Sequence, residues 1–291
     1  MISRFGLSII IVSFNTSKLL YNCLESVYTH LIKAKFPFEV IMVDNASSDD
    51  SVSMVKKNFP RVKLIINSQN IGFGKANNQG YTAARGEYIL FLNSDVVALE
   101  KSIERLYGFI RRHPKAIVGA KLINTDGTPQ PSCGPFYSLP VICIMLFFKG
   151  DKFGLTRRSP DKTIKTDWVS GACFISHRDL LGDGLLFDES IFMYMEEIDL
   201  MYRAKKSGYK TIFYPNARFI HIGAASSKSN AMPVVNIFRG LTYFYQKHHT
   251  RTANDILKGM LFVKSLIAII LGVLTLNEKL RSTYAKAIRT L

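Results

Sequence analysis

The sequence predicts an α/β fold whose sheet is covered on both faces. Three observations carry that expectation. Short β-branched runs alternate with stretches of helical periodicity from residue 7 onward, the runs are continuously apolar rather than alternating, and 47% of the 291 residues are hydrophobic. Strands that are apolar on both faces belong to mostly parallel sheets with helices above and below. The length suits one large domain, or a domain with an appendage.

The elements follow in order. "LSIIIVSF" reads as a first strand. Thr16 or Ser17 can then cap a helix whose Leu19, Leu20, Cys23, Leu24, Val27 and Leu31 share one face. "FEVIMVDN" is a second strand, and "SSDDSVSMVKKNF" opens a helix with capping residues and an acidic first turn. "VKLIIN" is a third strand, "GKANNQGYTAAR" a helix closed by Gly86, and "EYILFLNSDV" a fourth strand. The helix "EKSIERLYGFIRRH" stops at Pro114, and "AIVGAKLI" is a fifth strand, which gives a doubly wound half over residues 1–125. Residues 126–166 are rich in Pro, Gly and Lys around the apolar "LPVICIMLFF". Beyond them come "WVSGACFIS" as a strand, "MEEIDLMYRAKKSG" as a helix ending at Gly208, and "KTIFYPNARFIHI" as a strand pair. A basic, aromatic helix starts near Val234, and "ILKGMLFVKSLIAIILGVLTL" follows it.

Charge and cysteine usage narrow the setting. There are 38 Lys and Arg against 22 Asp and Glu, a net charge of +16. That excess favours a polyanionic partner: nucleic acid, anionic lipid or a phosphorylated substrate. Cys23, Cys133, Cys143 and Cys173 lack metal-type spacing, Cys23 and Cys173 read as small core residues, and a reducing, cytosolic setting is the simpler inference. The first 15 residues resemble a short signal peptide in hydropathy, but the run is brief, β-branched and without a small-residue cleavage site, so a first strand is the better reading.

Several polar residues sit where chemistry is possible. Asp44 and Asn45 end the second strand and Asp95 ends the fourth. Such residues form turns or caps, yet the carboxyl ends of parallel strands also face the ligand crevice of α/β sheets. Glu196 and Glu197 fall in the first turn of a helix, where they either decorate a positive dipole end or supply a general base. His221 ends a strand, as a structural imidazole or a metal ligand. "NIGFGKANNQG" lacks the third glycine of a dinucleotide fingerprint and the Lys-Ser/Thr of a P-loop. It still sets backbone amides and asparagines near a helix start, which suits a nucleotide or its phosphates.

Taken in order, "IIIVSFN", "VDNASSD", "NIGFGKANNQG", "YILFLNSD", "VSGACF", "FDESIFMYMEEIDLMYRAKKSGY" and "ARFIHIGAAS" resemble family 2 glycosyltransferases over residues 7–228. The block "FMYMEEIDL" with "RGLTYFYQKHH" is most similar to bacterial rhamnosyltransferases of lipopolysaccharide O-antigen and related cell-wall glycans. The resemblance implies a GT-A type, Rossmann-like mixed sheet flanked by helices over residues 1–228, divided into a nucleotide-binding half, 1–125, and an acceptor and catalytic half, 126–228. Residues 229–291 form a helical, membrane-associating extension. It further implies inverting, metal-dependent transfer, with L-rhamnose from dTDP-rhamnose as first expectation and a UDP- or GDP-sugar as alternative. By matching position, Ser13, Phe14, Asn15, Asp44, Asn70, Gly74, Asn78, Asn93 and Asp95 would bind the donor. Asp95 and His221 would hold Mg²⁺ or Mn²⁺, and Glu197, with Glu196 beside it, would be the base. Asn93 stands where the family has the first acid of its DxD motif, and Glu197 where it more often has Asp.

The tail bears on location. Residues 265–276, "SLIAIILGVLTL", are uncharged but short of the about 20 apolar residues of a span. Lys258, Lys264, Lys279 and Arg281 flank them, which fits an interfacial helix better than a span or a core helix. The expected partners are a nucleotide-sugar donor, a polyprenyl-diphosphate-linked saccharide and the anionic cytoplasmic face of a bacterial inner membrane, with no nucleic acid. A basic, non-catalytic binder of polyanions is the reading from a different class, and nucleotidyl transfer a third; no nucleic-acid module or N-terminal phosphate loop supports them.

Overall fold

The structure, a computed structural model, describes residues 5–182, 184–223 and 231–291. The boundary expected between residues 228 and 229 lies outside them. Residues 1–125 contain β1 (Phe5–Ser13), α1 (Ser17–Leu31), β2 (Phe38–Asp44), α2 (Ser51–Asn58), β3 (Lys63–Ile66) and α3 (Phe73–Ala83). They continue with β4 (Gly86–Asn93), β5 (Val96–Ala98), α4 (Ser102–Ile110) and β6 (Ala116–Ile123). Then come β7 (Pro129–Gln130), β8 (Cys133–Gly134), α5 (Leu139–Phe147), β9 (Ile164–Thr166), β10 (Trp168–Val169), β11 (Cys173–His177) and α6 (Arg178–Gly182). The chain closes with α7 (Glu196–Lys206), β12 (Lys210–His221), α8 (Ala231–His248), α9 (Arg251–Leu274) and α10 (Glu278–Ile288).

A single large sheet runs β3-β2-β1-β4-β11-β6-β12-β5, with β7 on β6 and β9 on β12. β3, β2, β1 and β4 are mutually parallel, as are β6 and β12. The sheet is mixed because β11 enters antiparallel between β4 and β6. The two halves therefore share one sheet. β1 explains its own composition: Leu7, Ile9 and Ile11 pack on one face with α1, while Ile10 faces the other core.

Two local expectations are corrected. "WVSGACFIS" is two strands, not one. Trp168 and Val169 pair with Cys133 and Gly134 in a separate ribbon, and the chain re-enters the main sheet only at Cys173. "KTIFYPNARFIHI" is one long strand rather than a pair. Its register along β6 shifts between Tyr214 and Arg218, a bulge that absorbs Pro215, which cannot donate to a ladder.

The C-terminal helices pack on the face formed by Phe174, Phe213 and α7, contributing Phe238, Phe244, Leu257 and Leu261 to that core. α9 has 24 residues, about 36 Å of helix. Leu257, Leu261, Ser265, Ala268 and Gly272 form its buried stripe. Phe262, Leu266, Ile270 and Leu274 on the remaining surface are exposed, so α9 is not an enclosed core helix. Among the described residues it is the one helix long and apolar enough to cross a membrane. Lys264, which interrupts its apolar run, donates from Nζ to Leu146 O of α5 at 2.9 Å.

An ionic cluster locks α8 to α7. Asp199 is fully buried and accepts from Arg203 Nε at 2.7 Å, Lys247 Nζ at 2.9 Å and His248 Nε2 at 2.6 Å. Burial opposes its ionisation, but the hydrogen bonds from His248, Lys247 and Arg203 outweigh that and hold its carboxyl below the usual range. Lys247 reaches Asp188 as well, at 2.5 Å. Replacing Asp199 by Ala should strand the Arg203 and Lys247 cations and lower the unfolding free energy by about 3 kcal/mol, read from urea melts at pH 7. An unchanged midpoint would show that the cluster contributes nothing.

Candidate active site at the carboxyl edge of the sheet

Because β1, β2, β4, β6 and β12 share one direction, their carboxyl ends lie on one edge of the sheet. That edge carries Ser13, Asp44, Asn93 and His221. Asp44 is 1% exposed; its Oδ2 accepts from Ser47 N at 2.9 Å, and Oδ1 has no partner. The Thr16 hydroxyl does not cap α1. It joins Ser13 Oγ at 2.9 Å and donates to Ser94 Oγ at 2.9 Å, tying the end of β1 to the turn before Asp95. Asn15, at φ 55°, accepts from Ser48 N at 2.8 Å, and Asp49 accepts from Ser17 N and Ser51 N, bracing the starts of α1 and α2. Phe14 is half-buried beside Asn15 on the same turn.

Asp95 and His221 meet because β5, which starts one residue after Asp95, pairs with the end of β12: Val96 opposes His221. Asp95 Oδ1 lies 3.5 Å from His221 Nε2. On its other side the imidazole Nδ1 is 2.6 Å from Gln130 Oε1, and the Gln130 amide is oriented by its own Nε2 donating to Asn124 Oδ1 at 3.1 Å. This network assigns the ring proton to Nδ1. In the neutral ring, Nε2 then points a lone pair at a carboxylate oxygen. Two acceptors so placed repel unless a proton or a metal cation lies between them, and a histidine ligand held from behind by an acceptor is the usual support of a metal site.

The third component is the start of α7. Glu196 is 6% exposed and Glu197 half-buried, and Oε2 of each is buried without a partner. Burial and the neighbouring Glu197 charge push Glu196 well above the usual carboxylate range. Burial raises Glu197 as well, while Arg157 and backbone amides, including that of Gly171, favour its ionised form. Both carboxyls are thus raised, and Glu197 is the one with a neighbouring cation and backbone amides favouring its ionised form. Glu197 packs on Gly171, whose missing side chain leaves 3.5 Å to Glu197 Cβ from where a Cβ would be. The next residue, Ala172, accepts from Asn93 N at 2.9 Å, so the helix start abuts the end of β4. Tyr194 reports the convergence. Burial first, then the charges of Glu196, Glu197 and Asp95, raise its phenol.

Two expected donor residues have other work. Asn78 donates to Phe187 O at 2.9 Å and accepts from Phe187 N at 3.1 Å, using both ends of its amide on the chain before α7. A side chain on Gly74 would stand 3.0 Å from Phe187 Cβ. At these two positions the Gly-rich turn braces the segment around Phe187. Asn70 stays near the edge, accepting from Gly72 N at 3.0 Å and Asn45 Nδ2 at 3.1 Å. Sequence reasoning missed Gln130, Arg157, Gly171 and Tyr194. Gly171, inside "VSGACF", and Tyr194, inside "FMYMEEIDL", lay within recognisable motifs; Gln130 and Arg157 carried no signal.

A divalent cation fits this edge. Asp95, His221 and Asn93, whose Oδ1 is buried without a partner, offer a carboxylate, an imidazole and an amide oxygen. Among the described residues no group of three His, Cys, Asp or Glu side chains is arranged to hold a metal, as expected where Asn93 replaces an acid. Asp44, Asp95 and Glu197 leave the edge acidic in a chain of net charge +16. An anionic diphosphate would be repelled there without a cation. A cavity of about 350 Å³ lies elsewhere, at the other end of α7, lined by Arg158, Lys165, Lys205 and Lys210. It contains none of the residues that converge at the edge.

The family described as Glycosyl transferase family 2 matches residues 8–181. An N-acetylglucosaminyl-diphospho-decaprenol L-rhamnosyltransferase of Mycobacterium tuberculosis is 27% identical over 219 residues, 66% of this chain and 68% of that protein. The O-antigen biosynthesis protein RfbC of Myxococcus xanthus is 26% identical over 250 residues, 77% of this chain but 19% of its own length. Among solved structures, GalNAc-T7 with UDP, GalNAc and Mn²⁺ aligns with TM-score 0.62 and 17% identity, covering 83% of this chain and 50% of that one. The mannosyltransferase PcManGT from Pyrobaculum calidifontis, with GDP-Man and Mn²⁺, aligns with TM-score 0.59 and 15% identity, covering 98% and 74%. These structural likenesses are in fold.

The glutamate pair should cost stability. A carboxyl whose folded pKa is raised stabilises the fold below its unfolded value, and that contribution is lost as pH rises through the folded value. Glu196→Gln should therefore melt higher than the parent at pH 8, with the gap closing toward pH 4. A variant that melts lower at pH 8 would contradict the assignment of Glu196 as a buried, unpaired acid.

Proposed function

The chain belongs to glycosyltransferase family 2, and on that premise we propose that it transfers L-rhamnose from dTDP-rhamnose to a saccharide carried on polyprenyl diphosphate. We read the transfer as inverting and cation-dependent, in the synthesis of a bacterial cell-surface polysaccharide. The observation that carries this reading is the meeting of Glu197, Asp95 and His221 on one edge of the sheet, with buried acceptor atoms left unpaired. Family membership removes the non-catalytic and nucleotidyl-transfer readings. The choice of rhamnose and of a lipid-linked acceptor is supported by the mycobacterial relative, whose name contains both.

The residues divide the work. Ser13, Phe14, Asn15, Asp44 and Asn70 would take the base and ribose of the donor, and Asn93 and Asp95 its diphosphate end. Asp95 and His221 would hold Mg²⁺ or Mn²⁺, and the bound ion would neutralise charge developing on the departing diphosphate. Ionised Glu197 takes the proton of the acceptor hydroxyl as that oxygen bonds to the anomeric carbon and the carbon–diphosphate bond breaks on the opposite face. A free alkoxide is inaccessible near pH 7, so proton removal has to accompany bond formation. Protonated Glu196 avoids a second charge beside the base, and Arg157 keeps Glu197 ionised.

Location follows from the tail. The exposed apolar surface of α9 and the exposed Phe148 and Phe153 lie beside α5, with Lys258, Lys279 and Arg281 nearby in the chain. Apolar side chains flanked by cations suit the anionic inner face of a bacterial membrane, where a polyprenyl-linked acceptor resides. Peripheral attachment is the reading adopted.

Glu197→Gln should lower transfer about 10²- to 10⁴-fold while leaving dTDP binding intact, measured by radiolabelled transfer and by thermal shift. In the parent enzyme the acid limb of the rate profile should lie above the about 4.3 of an ordinary glutamate, because activity is lost as pH falls through a raised pKa. Thermal shift should favour dTDP over UDP and GDP. Full transfer by the Gln variant would defeat the mechanism; a preference for UDP or GDP would replace the donor.

A further inference from the structure

Tyr194 and Met195, the two residues before Glu196, have φ of 69° and 79°. Left-handed backbone costs a side-chain-bearing residue about 1–2 kcal/mol, and consecutive examples persist only where their surroundings over-determine them. The strained pair sets the direction in which α7 starts, and with it the aim of both glutamates.

The surroundings are identifiable. On one side, Phe73 N donates to Phe192 O at 2.9 Å and Asn78 clasps Phe187. On the other side lies α8. A methyl group built on Gly240 would stand 2.7 Å from Tyr194 O, 2.8 Å from Met195 Cγ and 3.0 Å from Met195 Cβ. The helix backbone is therefore seated directly on the strained pair. Farther along α8, Tyr243 donates to Asp188 at 2.9 Å, while Lys247 and His248 grip Asp199 within α7. α8 is fixed to both flanks of the turn, and Gly240 fills the gap between.

A helix-interior glycine gives up about 1 kcal/mol relative to alanine, so its presence on α8 calls for a local reason. We propose that Gly240 is a positioning residue for the catalytic carboxylates: its bare backbone lets α8 press Tyr194 and Met195 into the left-handed turn that aims Glu197 at the edge of the sheet. The proposal rests on Glu197 as the base. It makes α8 part of the active-site scaffold as well as the root of the C-terminal extension.

The test compares Gly240→Ala with Gly108→Ala, a control on α4 where an added methyl meets nothing within 4 Å. Gly240→Ala should reduce kcat about 100-fold, the cost of a roughly 1 Å misplacement. Donor KM and dTDP binding should stay within twofold, since Asp44 and Asp95 are on other elements. The control should retain kcat. Adding Met195→Gly removes two of the three atoms struck by the new methyl, and its freer backbone at positive φ lets the Tyr194 carbonyl, the third, shift aside; it should restore at least tenfold of the lost kcat. Should Gly240→Ala fail to fold, recovery of both folding and kcat in the double variant supports the proposal, and recovery of folding alone overturns it. Unchanged kcat, or a matched rise in KM with loss of dTDP binding, also overturns it. If Glu197→Gln keeps full activity, the fault lies instead in the choice of base, whatever Gly240→Ala does.

Discussion

The pairing of Asp95 with His221 sets the terms of this structure. Asp95 Oδ1 and His221 Nε2 stand 3.5 Å apart, with Gln130 holding the imidazole from behind. Nothing in local backbone geometry requires them to meet; the β5–β12 pairing brings them together. Around them, Asp44, Asn93, Glu196 and Glu197 each keep a buried oxygen without a partner. A fold optimised for stability would fill or remove such atoms. Among the described residues, four of the five buried carboxylate or amide oxygens left without a partner are these, which suits a cationic and polyol ligand.

Holding acids in that condition requires a rigid frame. The core beneath the edge is apolar on both faces of the sheet, and residues 186–195 are clasped between α3 and α8. The Asp199 cluster closes the clasp. It lets the C-terminal helices contribute to the geometry of α7 while α9 presents apolar side chains outward. The extension is thus continuous with the catalytic scaffold.

Much of this was legible in the sequence, and the exceptions have physical causes. Asp44, Asp95 and His221 could be read because strand ends in a parallel sheet must gather on one edge. Glu196 and Glu197 could be read from their place at a helix start. The bracing of Phe187 by Gly74 and Asn78 had no local signal, since small residues beside amides look alike whether they admit a phosphate or a neighbouring loop. Pro215 gave a turn signal that the strand absorbed as a bulge. The break at Ser170 and Gly171 was invisible because it depends on Glu197 and Asn93, each distant along the chain. The pairing of Asp199 with His248, 49 residues away, had no local signal at all.

The central proposal is that Asp95 and His221 together hold a divalent cation. Electron paramagnetic resonance titration of the full chain with Mn²⁺, with and without dTDP, tests it directly. The account predicts one bound ion, tightened by the nucleotide and lost in both Asp95→Ala and His221→Ala. Equal Mn²⁺ binding by the parent and both variants would contradict it.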